Sequence, residues 1–378
     1  MPTRNPPISA LTRYEPVASI QLATKNQSYT LPTQGGQLPS DRFIHSLRLT
    51  FEGRYTNPGT GTEPTARLAD DMPALIERIV VEGYHRSRGT RERFIDIRGA
   101  DLHRLNAVYS SLAPLCTPAI GAYVLTFDTA NDIRFILDLP FVPMRLPAYA
   151  QTGWLLDAPN YDALTLTIEY ADENNIVSGH TAAIPATAFG SAAGNPVLHV
   201  DAMYAMAGPS RFRGFLPGRV WRHYAEVTGS QLTTTATGTR IFNLPRGNRI
   251  RGMLLKTGTK AAGVTAGNNS YATHINTIFD QIIIYRGTNR INRQYRSWEQ
   301  LHEETVPRYG YRLPDGFGLV DYAPNGLDRE ILDARGLIAG PTGDVDLYLA
   351  ADVTGAATQA ALALYEEWRG FPANIVRG

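Results

Sequence analysis

The sequence predicts an all-β chain made of two tandem copies of one β-sandwich domain. Three observations predict it. A set of short motifs occurs twice in the same order, the apolar segments are short and bounded by turn residues, and 34 Gly and 25 Pro are spread through 378 residues. The first copy of the pattern runs Tyr14-Glu15-Pro16-Val17, Gln21-Leu22 and Tyr29-Thr30-Leu31-Pro32. It is answered by Tyr224-Ala225-Glu226-Val227, Gln231-Leu232 and Phe242-Asn243-Leu244-Pro245. Ile44-His45-Ser46-Leu47-Arg48-Leu49 then matches Ile250-Arg251-Gly252-Met253-Leu254-Leu255, and Ile79-Val80-Val81 matches Ile282-Ile283-Ile284. Trp154-Leu155-Leu156-Asp157-Ala158 matches Glu330-Ile331-Leu332-Asp333-Ala334, and Leu164-Thr165-Leu166-Thr167-Ile168 matches Val345-Asp346-Leu347-Tyr348-Leu349. The offset between copies drifts only gradually. A period this long is not a solenoid repeat of a few tens of residues. It divides the chain into domains 1–208 and 209–378, with 209–222 as the linker region.

Taken in order, the strands of the first copy are the runs 43–51, 75–81, 122–127, 133–139 and 164–170, rich in Ile, Val, Leu, Phe and Thr and bounded by Gly, Pro, Asn and Asp. In 164–168 Leu and Ile alternate with Thr, which puts one face in a core and the other away from it. Residues 128–132 between two runs read as a hairpin loop. Segment 99–110 carries Leu102, Leu105 and Val108 at spacing three, a short amphipathic helix. The second copy repeats the series with strands 250–256, 275–285, 318–322 and 345–349. Its helix, 297–305, opens on Ser297 with Gln300 three residues later, a capping box. Segment 356–368 is Ala- and Leu-rich and helical by propensity. Leu362 and Leu364, however, align with Leu198 and Val200 of the strand-like Val197-Leu198-His199-Val200, so a strand is expected there. The copies differ in loops: 56–71 and 260–273 are equivalent connections, and 172–195 is an insertion with a short counterpart near 351–359.

Bulk properties exclude several classes. The chain is 43% hydrophobic and 19% charged, with a formal net charge of +1, so no global field draws it to nucleic acid or an acidic membrane. Lys25, Lys256 and Lys260 are the only lysines; every other fixed cation is Arg. A GC-rich genome explains this, and so do planar bidentate contacts at subunit interfaces. Cys116 is the single cysteine, so no intrachain disulfide is expected. The first residues lack the apolar core of a signal peptide, and no stretch approaches the roughly 18 to 20 apolar residues of a membrane span. A soluble product that stays where it is made is expected.

Catalytic chemistry is not evident. The eight histidines are scattered without metal-ligand spacing, so neither metal nor cofactor is expected. Gly190-Ser191-Ala192-Ala193-Gly194 lacks the spacing of a nucleophile elbow, and there is no P-loop or dinucleotide glycine motif. Asp157 and Asp333 recur in the Leu-Asp-Ala motif. Each belongs to its own copy, and an Asp after a strand commonly caps a turn by accepting from nearby backbone amides. Two basic blocks correspond between copies: Arg86, Arg88, Arg91 and Arg93, and Arg286, Arg290, Arg293 and Arg296. They read either as solvated strand edges that blunt unwanted pairing or as rims that contact phosphate, of a lipid headgroup or of nucleic acid, or a subunit interface.

One resemblance spans nearly the whole chain. It is carried by Leu75-Ile76-Glu77-Arg78-Ile79-Val80-Val81-Glu82-Gly83, by the helix with Leu102-His103-Arg104-Leu105, and by Trp154-Leu155-Leu156-Asp157-Ala158 with its Leu-Thr-Leu-Thr strand. In the second copy it is carried by Leu244-Pro245-Arg246-Gly247-Asn248-Arg249-Ile250-Arg251-Gly252-Met253-Leu254-Leu255 and Ile331-Leu332-Asp333-Ala334-Arg335-Gly336-Leu337. In these segments the chain resembles the double jelly-roll major capsid proteins of tailless icosahedral, membrane-containing bacteriophages, of the corticovirus and finnlake-virus kind. The insertion at 172–195 departs from that leaner pattern. The resemblance implies two tandem eight-stranded jelly-roll β-sandwiches with a short helix inserted in each. It implies a structural coat protein without catalysis, located in the virion and assembled in the host cytoplasm, that forms homotrimers. Six lobes per trimer make a pseudo-hexamer able to tile a closed shell. Neighbouring capsomers, penton or minor capsid proteins and an internal lipid membrane are the implied partners, with no specific nucleic acid.

Two rivals remain at this stage. A two-domain jelly-roll protein that binds or cleaves carbohydrate would want an exposed aromatic platform or a carboxylate pair, and Trp154, Trp221, Trp298 and Trp368 are spread out. A virion spike would form a discrete elongated trimer.

Overall fold

The computed structural model describes residues 14–56, 66–85, 89–110, 112, 114–122, 130–142, 155–178, 195–204, 220–228, 232, 234–244, 249–260, 271–287, 289–295, 297–322, 332–333, 347–356 and 358–368. They form two compact units. One is drawn chiefly from Met1–Ala107 and Leu112–Gly218, the other from Arg219–Gly263 and Tyr271–Gly378 with Val108–Ser111.

The first unit's main strands are β1 (Glu15–Gln21), β2 (Gln27–Leu31), β3 (Phe43–Thr56), β4 (Ile76–His85) and β5 (Thr90–Ile97), then helix α1 (Gly99–Ser110), then β6 (Ala130–Pro140), β7 (Ala163–Tyr170) and β8 (Val197–Tyr204). The second unit's are β9 (Val220–Thr228), β10 (Ala236–Asn243), β11 (Arg249–Lys260), β12 (Phe279–Arg286) and β13 (Asn289–Tyr295), then helix α2 (Trp298–Tyr309), then β14 (Phe317–Asp321), β15 (Leu347–Val353) and β16 (Gln359–Trp368). In the first unit the antiparallel orders are β1-β8-β3-β6 and β2-β7-β4-β5. In the second they are β9-β16-β11-β14 and β10-β15-β12-β13. Adding eight to each strand number of the first unit gives the second. Each is a jelly roll, with its helix inserted between the fifth and sixth strands.

The repeated Leu-Asp-Ala motif has a structural counterpart. Leu156–Asp157 pairs with the start of β3, Ile44 opposite Leu156. Leu332–Asp333 pairs with the start of β11, Ile250 opposite Leu332. Side-chain alternation explains the cores. In β7 Leu164, Leu166, Ile168 and Tyr170 are buried while the residues between them are partly exposed, and Phe51 stacks on Phe135 at 4.8 Å between ring centres. The second core gathers Met253, Leu255, Ile282, Ile284, Leu349, Ala361, Ala363 and Tyr365 around Trp298 and Leu301 of α2.

Helix α1 occupies the span the sequence predicts. In α2 the Gln300 N–H donates to Ser297 Oγ at 3.3 Å, and the helix ends on Gly310 at φ 65°, where a left-handed residue suits glycine. It extends past residue 305 through Pro307, because Tyr309 is anchored in the interior, 2% exposed.

The expected strand at the chain's end is present as β16, but its register differs by one residue from the sequence alignment. Leu198 lies opposite Phe51, whereas Ala361 lies opposite Thr257, the residue of β11 equivalent to Phe51. Leu198 therefore corresponds to Ala361 and not to Leu362. Residues 359–367 are all buried, so β16 lacks the inside–outside alternation that would reveal its register. The linker region also needs correction, since Val220–Arg222 already belong to β9. Residues 205–219, most of the run 122–127, Trp154 and the insertion at 179–194 lie outside the described residues, as does the tip of the hairpin expected at 128–132, of which Ala130 onward belongs to β6. No described helix is long and apolar enough to cross a membrane.

Candidate functional site

The two arginine blocks fall on corresponding hairpins, β4–β5 and β12–β13. Arg86, Arg88 and Arg296 lie outside the described residues; Arg293 lies in β13, and its side chain is not described. The four remaining arginines sit in different surroundings. Arg93 Nε donates to Glu82 at 2.7 Å and Arg93 also bonds Asp96 at 3.0 Å. Asp96 accepts two further bonds of 2.7 Å from Arg78, which reaches Glu169 at 3.5 Å. Burial pushes the Asp96 carboxyl up, yet the hydrogen bonds and charge of Arg78 and Arg93 hold it below the usual carboxylate range. This face is a closed ionic ladder. Arg91, opposite Tyr84, lines with Glu82, Gly83, Ala163 and Thr165 a shallow depression of about 300 Å³. Its floor is tight: a Cβ on Gly83 would meet the Tyr161 ring.

The second hairpin is aromatic where the first is ionic. Tyr285 and Tyr348 face each other across β12 and β15 and stack at 5.2 Å with 14° between ring planes. Arg240 lies over Tyr348 at 4.7 Å, held by a 2.7 Å bond from its Nε to Asn243 Oδ1. Arg290 stands opposite Tyr285, and Arg286 follows it at the turn; both are exposed. The equivalent cross-strand pair in the first unit is Glu82 and Thr165. Both tyrosines are half-buried. Sequence reading passed over them, although Tyr348 alternates with Leu347 and Leu349 as an outward residue should.

A second contrast lies on the outer face of the sheet that holds β3. In the first unit Arg48 bonds Asp138 through Nε at 2.7 Å and through its second nitrogen at 3.0 Å, above the Tyr14 ring at 4.2 Å. Arg54 pairs with Asp132 at 2.7 Å and Arg134 with Glu52 at 3.1 Å. These side chains are partly or largely exposed. On the counterpart sheet of the second unit, Leu254, Lys256, Phe317, Leu319, Leu362 and Leu364 are all buried. Lys256 Nζ lies 4.4 Å from the centre of the Tyr271 ring.

Reactive groups are few among the described residues. Among the described residues no cluster of three His, Cys, Asp or Glu could hold a metal. Burial lowers the His103 imidazole to about 4 and pushes the Cys116 thiol up to about 12, which makes it a poor nucleophile. Asp157 is raised to about 6 by burial, against the opposing effect of a hydrogen bond from the Asn160 backbone amide, the kind of donor the sequence suggests; it also accepts from the Asn160 side-chain amide at 2.7 Å. Asp333 sits at the same place in its own unit. Gly190–Gly194 lie outside the described residues. Trp298 is a core residue, 2% exposed; the side chains of Trp154, Trp221 and Trp368 are not described.

No protein-family model and no curated protein matches the chain. Solved structures do. The major capsid protein of Sulfolobus turreted icosahedral virus superposes with a TM-score of 0.66 at 13% identity, covering 97% of this chain and 99% of that one. The capsid of the virus PBCV-1 matches at 0.57 and 12%, covering 95% and 93%. The major capsid protein P2 of bacteriophage PM2 matches at 0.55 and 12%, covering 96% and 98%. At these identities the likeness is one of fold, and it extends over both units: the chain is a double jelly roll of the type seen in these major capsid proteins.

Proposed function

We propose that this chain is a viral major capsid protein that assembles as a homotrimer into pseudo-hexameric capsomers of an icosahedral shell. The observation that carries the reading is the strand-for-strand duplication, two eight-stranded jelly rolls in one chain, in a fold that matches capsid proteins from end to end. Two like lobes per chain let three chains make six near-equivalent lobes, a block that tiles a closed shell with no need for a true sixfold. Jelly rolls leave few open strand edges, which limits stray pairing at the high local concentration of a shell. A permanent trimer contact of this kind would bury roughly 2,000 Å² or more. A structural role without catalysis fits the inert surroundings of Cys116 and His103. Neighbouring capsomers, penton or minor capsid proteins and an underlying lipid layer are the further partners proposed, with assembly in the host cytoplasm and residence in the virion.

The test is the solution mass by light scattering on a sizing column, with the same peak imaged by electron microscopy. A mass near three times 41.5 kDa, seen as a six-lobed plate, is expected. A 41.5 kDa single chain that binds glycans on its Tyr285–Tyr348 face would replace this reading with the carbohydrate-binding one.

A further inference from the structure

The two units share a topology and differ in the outer faces of their corresponding sheets. Register makes the comparison residue by residue. Arg48 stands between Asp201 and Asp138, and Leu254 stands between Leu364 and Leu319. His199, Thr50 and Ile136 form the next row, answered by Leu362, Lys256 and Phe317. In these two rows the second unit is buried and apolar except for Lys256, whereas the first carries Arg48, Asp138, His199 and Asp201, all partly exposed; the next row of the second unit holds the buried carboxylates of Glu366 and Asp321.

We propose that the open outer face of β1-β8-β3-β6 is where a second copy of this chain docks, and that the copy presents the Tyr285–Tyr348–Arg240 face of its β10-β15-β12-β13 sheet. The proposal rests on the capsid reading and names its contact surface. The counterpart face of the second unit is buried, whereas that of the first is partly exposed and so is open to another chain. Its composition suits that task. A surface that is wet in the free chain and covered after assembly is polar, whereas a surface covered from folding onward is apolar. Its ion pairs form within one chain, so docking leaves no charge newly unpaired.

The partner face has what the first lacks. Stacked tyrosines with an arginine across them are the residue types that dominate interface energetics, and the pair is held rigid by the cross-strand stack and by the bond from Arg240 to Asn243. Charges are complementary. On the docking face the carboxylates of Glu52, Asp132, Asp138 and Asp201 outnumber the guanidinium groups of Arg48, Arg54 and Arg134. Around the tyrosines stand Arg240, Arg286 and Arg290, while Asp280 and Asp352 pair opposite each other at the far end of the strands.

The experiment compares three variants with the native chain by light scattering over a dilution series, with melting curves alongside. Glu52→Arg with Asp132→Arg reverses the docking face at exposed positions. Tyr285→Ala with Tyr348→Ala strips the partner face. Glu299→Arg with Glu303→Arg places the same charge change on α2. The first two are expected to associate at least tenfold more weakly while the third assembles like the native chain. Native-like association of either face variant, or equal loss in the α2 variant, overturns the proposal and leaves the capsid reading standing. A native chain that stays single at every concentration overturns the capsid reading itself. If the charge variant does not fold, the tyrosine variant alone decides.

Discussion

Asp157 sits where the strand Leu156–Asp157 meets the start of β3, 7% exposed, with the Asn160 amide as its hydrogen-bond donor. Burial disfavours its charged form and raises its pKa to about 6, against about 3.9 in an unfolded chain. Between those values the native chain holds the proton more tightly than the unfolded one. The stabilisation is therefore complete below about pH 3.9 and lost as pH rises through 6. Asp157→Asn, which keeps the shape without the charge, should stabilise the protein by up to about 3 kcal/mol at pH 8 and by only about 0.5 kcal/mol at pH 4. Urea unfolding at both values measures it. An equal gain at the two pH values would show that the buried charge is not the cause. The sequence marks this residue through its repetition in the Leu-Asp-Ala motif and suggests backbone capping, which the Asn160 backbone amide supplies; the added bond from the Asn160 side chain was not legible, because that group comes near only once the turn has folded.

At the level of elements, legibility follows exposure. β7 was readable because one of its faces is buried and the other is not: Leu166, at 0% exposure, alternates with threonines. The capped start of α2 was readable because Ser297 and Gln300 are local signals. β16 was recognised as a strand through its relation to β8, but its register was not, since a strand buried on both faces has no period-two contrast. The sequence repeat and the structural repeat differ by small shifts. The alignment pairs Leu166 with Leu347, but their cross-strand partners Val81 and Ile284 pair Leu166 with Leu349. That two-residue shift preserves the face. The core position in β15 is accordingly Leu349, 0% exposed. Leu166→Asp and Leu349→Asp should each cost more than about 4 kcal/mol, because an unpaired carboxylate has no partner in either core. Soluble yield and thermal melting report it. Native-like melting of Leu349→Asp would mean that β15 is turned the other way. The tyrosine face escaped the sequence reading for a related reason. Tyr285 and Tyr348 are 63 residues apart in numbering, and only the β12–β15 register brings them together.

For the whole molecule, duplication followed by divergence bears on how a chain with the proposed capsid role would stay free before assembly and join a shell after it. If both lobes kept the apolar face built from Leu254, Leu319, Leu362 and Leu364, the free chain would carry a large exposed apolar patch, an aggregation hazard. The first lobe instead bears Arg48, Asp138, His199 and Asp201 at those positions. A contact made through such a face depends on charge, and this dependence separates it from a contact made by apolar burial. Raising the salt from 0.1 M to 1 M shortens the screening length from about 10 Å to about 3 Å, which weakens attraction between the carboxylates of one chain and the arginines of the next. Apolar association would be unaffected or strengthened by the same change. Association constants from sedimentation should fall roughly tenfold or more over that range, a loss of about 1.4 kcal/mol, while the melting of the single chain moves little because its cores are apolar. Assemblies that hold or tighten in 1 M salt would place the contact on an apolar surface and remove the charged face of β1-β8-β3-β6 from the interface.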